Sequence, residues 1–328
     1  MRNSHISWCT HTFNPWWGCV EVSPACDHCY ARTLAERFHQ GLWGKDAARR
    51  PASENTWAEP ERWAASALKR GVRERVFCGS MCDVFEDRSD LDRWRSMLWR
   101  IVERTGHSLD WLLLTKRPEN MAAMVPSSWA SAWPRNAWAG TTAENARRLQ
   151  ERMVHLARIP ASIRFLSIEP LMGPLSVKPY LGFYRAAHGR VAIECPHGFD
   201  ACPSCDAGPI HWCIVGGESG RNARPMHPGW VREIRDECAT AGTPFHFKQW
   251  GEFVPREDHA GHVPEKRLVW VARDGEVRDE LQRVDRSKWA LMARVGKKAA
   301  GSILDGRAWL EIPELVRAME GAQGSTGR

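Results

Sequence analysis

Seven short apolar runs alternate with helix-like segments between Ile6 and Phe247, and this alternation restricts the fold more than any other feature of the chain. The runs are Ile6–Cys9, Arg75–Gly79, Trp111–Leu114, Ala137–Gly140, Ile163–Ile168, Trp212–Val215 and Pro244–Phe247. Helical patterns fill residues 30–40, Glu61–Arg70, Leu91–Arg104, Glu144–Ala157 and Trp230–Ala241. Such an order is the signature of parallel β/α units. The fold class expected is α/β, a full or partial parallel β/α barrel, with a doubly wound open sheet as the competing architecture. Polar residues gather just past nearly every run: Ser80 and Asp83, Lys116 and Arg117, Thr141 and Thr142, Glu169, Glu218, Lys248 and Gln249. In a barrel these positions converge on one mouth, where active sites sit, which favours the barrel.

The loop after the first run holds Cys19, Cys26 and Cys29 in a C-x6-C-x2-C spacing. A strand-to-helix loop can turn three thiolates toward one point. Three thiolates are one short of a closed zinc site and one short of filling a cubane iron–sulfur cluster. In the first case Cys9, His11 or His28 supplies the fourth ligand; in the second, one iron stays open to a small molecule.

The same spacing recurs in Cys195, Cys202 and Cys205, within an apparent insertion over residues 176–211. The insertion is polar and rich in Gly and Pro, too poor in apolar residues for a core of its own, so a metal would supply the missing stability. Zinc on Cys195, His197, Cys202 and Cys205 is expected, with His188 or His211 able to replace His197 and an auxiliary iron–sulfur cluster as the alternative. The domain plan is then a β/α barrel over 1–251, the insertion at 176–211 within it, and a C-terminal cap and tail over 252–328. In the cap, Leu268–Ala272 reads as part of a small hairpin, Ser287–Ala300 and Ile312–Met319 read as helices, and Gly321–Arg328 reads as disordered. Lys297, Lys298 and Arg307 form a basic patch there, either a solvated face or a phosphate-backbone contact.

Eleven cysteines in clusters, with no secretory signal, point to a reducing compartment, metal binding and a cytoplasmic location. No apolar stretch reaches membrane-spanning length. The formal charge of +7 permits nucleic-acid contact without requiring it. Eighteen tryptophans could in part stack on bases, although most tryptophans fill cores.

The run from Trp17 to Ala31, with its three cysteines, resembles the signature of a phage-associated family of unknown function that carries a three-cysteine motif and is grouped with radical S-adenosylmethionine (SAM) enzymes. The resemblance continues through Leu114–Pro118, Phe165–Leu171, Ile214–Gly220, Phe247–Gly251, Arg294–Gly301 and Leu304–Arg307. It implies a [4Fe-4S] cluster on Cys19, Cys26 and Cys29, SAM on the open iron, and an electron donor such as flavodoxin or ferredoxin. One electron would cleave the sulfonium, and the resulting 5′-deoxyadenosyl radical would abstract a hydrogen from substrate. Three features depart from the usual superfamily pattern. Six residues rather than three separate the first two cysteines, His28 stands where an aromatic is common, and Gly216-Gly217-Glu218 follows the sixth run rather than the second. Ser80 and Asp83 follow the second run and are better placed for SAM. The candidates for cofactor contact are therefore His28, Ser80, Asp83, Thr141, Gly216, Gly217 and Glu218, and those for catalysis are Lys116, Glu169 and Lys248. Three functions follow: a radical enzyme modifying or repairing a nucleic acid or nucleotide, the same chemistry on a small metabolite or partner protein, or a non-catalytic zinc protein that binds nucleic acid.

Overall fold

The structure is a computed structural model that describes residues 3–38, 41–181, 209–279 and 284–313. Strands β1 (His11–Phe13), β2 (Glu74–Cys78), β3 (Leu109–Thr115), β4 (Ala137–Thr142), β5 (Arg164–Ile168), β6 (Trp212–Gly216) and β7 (Phe245–Gln249) form one parallel sheet whose spatial order equals the chain order. A doubly wound sheet would reverse its order at a switch point; this one does not. β1 and β7 are the two edges, so the sheet is a curled, open half-barrel.

Each strand divides its side chains between two layers. Val76, Cys78, Trp111, Leu113, Ala139, Leu166, Val215 and Phe247 join the large core shared with α2 (Glu54–Lys69), α3 (Asp92–Arg104), α4 (Ala146–Leu156) and α5 (Pro228–Ala241), which lie outside the sheet. The alternate residues Phe77, Leu112, Trp138, Phe165, Trp212 and Ile214 form a second cluster on the concave side. Gly140 makes room there: a Cβ would lie 2.2 Å from the Phe165 ring.

Ile6–Cys9, expected as the first strand, is instead a turn that plugs the concave side. Trp8 is 1% exposed and packs on Phe77 and Trp212 at ring-centroid distances of 4.6 and 6.4 Å. Ser7 Oγ meets Nε2 of His246, on β7, at 2.8 Å, so the segment preceding one edge strand reaches the other edge. This apolar run is satisfied by filling an open barrel rather than by joining the sheet. The outer edge of β7 is covered by residues 309–311: Phe247 N donates to Trp309 O at 2.8 Å and Glu311 N to Phe245 O at 3.3 Å. Covering the edge removes a row of unpaired backbone groups.

Helix α2 begins at Glu54, seven residues before the expected start. Ser53 caps it by accepting from Thr56 N, and Pro60 is tolerated on its buried face. Of residues 287–300, expected as one helix, only Lys297–Ala300 is helical. Trp289–Arg294 (β11) is a strand between β8 (Phe253–Pro255) and β9 (Leu268–Ala272), with β10 (Val277–Asp279) outside β9 in an antiparallel sheet. The expected hairpin, β9–β10, is part of this larger sheet. Helix-favouring residues in β11 yield to pairing on both sides, which buries Met292 and Ala293 completely. Ile312 is not helical, and residues 314–328 lie outside the described residues. All eighteen tryptophans are buried or half-buried, so their main role is packing.

Three histidines are held neutral. Burial pushes His211, His227 and His246 down to about 4 from the ordinary 6.5. His211 and His227 also accept backbone N–H bonds through Nδ1, from Arg164 and Gly229, which requires the unprotonated ring. The unfolded chain therefore binds more protons between pH 6.5 and 4, and stability falls as pH drops through that window. The urea midpoint is expected to be lower at pH 4.5 than at pH 7, and His227→Asn should flatten the slope. Equal midpoints at the two pH values would contradict this account.

Candidate functional site at the open end of the half-barrel

The carboxyl ends of the strands surround a cavity of about 820 Å³, within the size range of small-molecule sites. Cys19, Cys26 and Cys29 all line it. The β1 loop is shaped by a short 3₁₀ turn at Pro24–Cys26, after which Cys29 N donates to Cys26 O at 3.2 Å and α1 (Tyr30–Phe38) begins. Cys19 is pinned from the other side, where its carbonyl accepts from Gly44 N at 3.0 Å.

Two buried carboxylates fix this loop. Asp83, beyond β2, accepts from Thr115 Oγ1 (2.6 Å), Phe85 N (3.0 Å), Lys116 N (3.2 Å) and Arg117 Nη1 (2.7 Å). Arg117 in turn donates to Val20 O at 2.9 Å and sets Nη1 3.9 Å from Cys19 Sγ. Burial disfavours the Arg117 charge, but Asp83 and Cys19 more than compensate and raise its pKa. The second carboxylate is Glu218, 6% exposed. Its oxygens accept from Arg224 N, Nε and Nη2 at 2.7, 2.8 and 2.5 Å, and Oε2 lies 3.2 Å from His28 Nδ1. Arg224 Nη2 also donates to Pro24 O at 3.0 Å. Burial alone would raise the Glu218 pKa; the bonds from Arg224 and His28 bring it below the ordinary range.

Burial, with Asp83 nearby, pushes the Cys19 thiol up to about 12. Without a metal it is a protonated thiol, and metal binding would release its proton. No three described His, Cys, Asp or Glu side chains converge on a single ion position. A cubane distributes its three thiolates over three irons, so a cluster needs no such convergence. Three thiols lining one cavity, one of them beside a guanidinium, fit that donor set. Of the proposed zinc partners, His11 lies in the outer layer, 3.0 Å from Glu74 Oε2 and stacked on Trp63, and does not line the cavity. Cys82, whose thiol burial pushes well up, lines the cavity as well, although its x3 spacing from Cys78 is a weak signal for a metal pair.

Further lining comes from the ends of β3 to β7, with Thr142 the β4 contribution, and from residues 5–8 and 297–302. Lys248 and Glu169 Oε2 form an ion pair, and Lys248 Nζ stands 5.9 Å from the Trp8 ring centroid. Glu169 Oε1 is buried without a hydrogen-bond partner. Lys116 lines the cavity with no ion pair to a described carboxylate.

The structure thus gathers Cys19, Cys26, Cys29, His28, Ser80, Asp83, Lys116, Glu169, Gly217, Glu218 and Lys248 around one space. Asp83 and Glu218 are structural ties rather than open ligand positions, because their oxygens already accept several bonds. Two expected contacts are not in the lining. Thr141 is fully buried and its hydroxyl donates to Thr115 O at 2.8 Å; Gly216 packs beside the Glu169 side chain. Gly217 is explained by packing: a Cβ there would lie 1.9 Å from Trp250 O, so two strand-end loops pass too closely for any side chain. Cys195, His197, Cys202 and Cys205 lie outside the described residues.

Arg224 escaped the sequence reading, since nothing in its spacing marks it as Glu218's partner. The basic patch divides. Lys297 and Lys298 line the cavity, whereas Arg307 stacks over Trp309 at 4.2 Å, with Glu311 at 3.9 Å.

No described helix is long and apolar enough to cross a membrane. Comparison with curated proteins and with solved structures finds no match. A family model described as a protein of unknown function (DUF5131) matches residues 3–313. The chain therefore belongs to the DUF5131 family.

Proposed function

We propose that the protein is an iron–sulfur, SAM-dependent radical enzyme that acts on a nucleic acid or nucleotide, with a [4Fe-4S] cluster on Cys19, Cys26 and Cys29. The observation that carries this reading is the shared lining of one cavity by the three thiols and by Glu169, whose buried Oε1 has no partner. When bound and reduced, the cluster and SAM would supply hydrogen-atom abstraction.

The chain's own residues would bind and orient. Glu169 Oε1 is an acceptor suited to an ammonium or a ribose hydroxyl, and its ion pair with Lys248 holds the carboxylate in place. Lys116 offers a cation for a carboxylate or phosphate. Arg117 would stabilise the Cys19 thiolate. Trp8 and Phe77 close the concave side beneath the cavity to water. An electron donor such as a ferredoxin or flavodoxin is required, and the proposal includes zinc on Cys195, His197, Cys202 and Cys205.

The test is SAM binding and cleavage by protein purified and reduced without oxygen. The expected products are 5′-deoxyadenosine and methionine. Glu169→Gln should keep the iron but weaken SAM binding about 10- to 100-fold, the loss of a hydrogen bond to a charged group. Iron-loaded wild type that neither binds nor cleaves SAM would remove the reading.

A further inference from the structure

Residues 296–301 are held over the mouth of the half-barrel at both ends. Gly296 N donates to Glu252 O at 3.1 Å, and Trp250 N donates to Gly301 O at 3.1 Å. The segment between them presents Lys297 and Lys298, which line the cavity together with Ser302. Neither lysine has an ion pair with a described carboxylate; Glu169, in the same cavity, is paired with Lys248, and Glu252 stands beside the segment without pairing to either lysine. Partial burial, and after it the charge of Lys248, lowers the Lys297 pKa against the opposing pull of Glu169 and Glu252. A backbone-anchored segment thus sets two ammonium groups that have no ion pair of their own near a third, an arrangement that an anion between them would relieve.

We infer that Lys297 and Lys298 bind a phosphate of the substrate at the rim of the cavity. The inference deepens the reading above and rests on it for the substrate being a nucleotide or polynucleotide. Lysine ammoniums bind phosphate as point charges with three donors each, and two of them side by side can share one phosphate. Their exposed placement at the rim suits a backbone that passes the mouth while the reacting part enters the cavity. Arg307, grouped with them in the sequence, takes no part.

The experiment measures binding of a fluorescein-labelled single-stranded DNA of about twelve nucleotides, within the range that one binding module covers. AMP and inorganic phosphate serve as competitors, and iron and SAM binding are measured on every variant. Lys297→Ala/Lys298→Ala should weaken binding at least tenfold and reduce the slope of log K against log salt by about 1.4, the release expected from two single-strand phosphate contacts. Lys297→Arg/Lys298→Arg should restore most of the binding. Lys69→Ala/Lys288→Ala changes the net charge equally, away from the mouth, and should leave binding within twofold of wild type. Strong competition by AMP would identify a mononucleotide substrate; competition only by longer strands would identify a polynucleotide. Wild-type binding and slope in the Lys297/Lys298 alanine variant would overturn the inference, as would no binding of any probe to wild type. Either result could occur with iron and SAM binding intact, which would leave the enzyme reading standing. Loss of binding in the alanine variant of a protein that holds no iron would do the reverse.

Discussion

Replacing Cys19, Cys26 and Cys29 together by alanine is expected to remove about four irons and as much sulfide per chain, with the brown absorption. The three residues line one cavity and no alternative loop duplicates them among the described residues. On the proposed reading about one zinc should persist, held by Cys195, His197, Cys202 and Cys205. SAM cleavage should fall to background. The fold should survive: the cysteine loop lies at the open end, whereas the core is built from the sheet and its outer helices. Far-ultraviolet dichroism and the urea midpoint separate cluster loss from unfolding. Zinc alone in anaerobically purified wild type would assign the loop a structural role, and the radical mechanism would be withdrawn.

Asp83→Ala is the single substitution expected to do the most damage to stability. Asp83 and Arg117 have side chains 7% and 8% exposed and are paired at 2.7 Å. Removing the carboxylate strands a buried guanidinium and also leaves Thr115 Oγ1 and two backbone N–H groups without their acceptor. Breaking a buried pair in this way costs about 3–5 kcal/mol, read as a fall in urea midpoint. Asp83→Asn keeps the shape and an acceptor oxygen and should fall between the two. Because Arg117 bonds Val20 O and approaches Cys19 Sγ, the damage should extend to the cysteine loop. Cys19 in the iron-free variant should react faster with thiol reagents than in iron-free wild type. A wild-type midpoint for Asp83→Ala would show that the pair contributes little.

Much of this architecture is legible in the sequence because strands buried on both faces must be apolar throughout, and β2 to β7 announce themselves by that rule. The clustering of Cys19, Lys116, Glu169 and Lys248 was legible for a related reason: parallel strands deliver the residues that follow them to one end. Local pattern misled where an apolar run had a different burial partner. Ile6–Cys9 carries the residues of a strand but fills the concave side of an open sheet, and Trp289–Arg294 carries those of a helix but pairs with β8 and β9.

The sequence by itself determined the parallel β/α order, the cysteine loop and the set of polar residues at the strand ends, since each depends on spacing along the chain. Only the tertiary structure decided that the barrel stays open, that Asp83 and Glu218 hold Arg117 and Arg224 rather than facing the cavity as free ligands, and that Lys297 and Lys298 meet the mouth while Arg307 does not. Those outcomes depend on how the folded loops and edges meet in space, and sequence spacing carries no record of that.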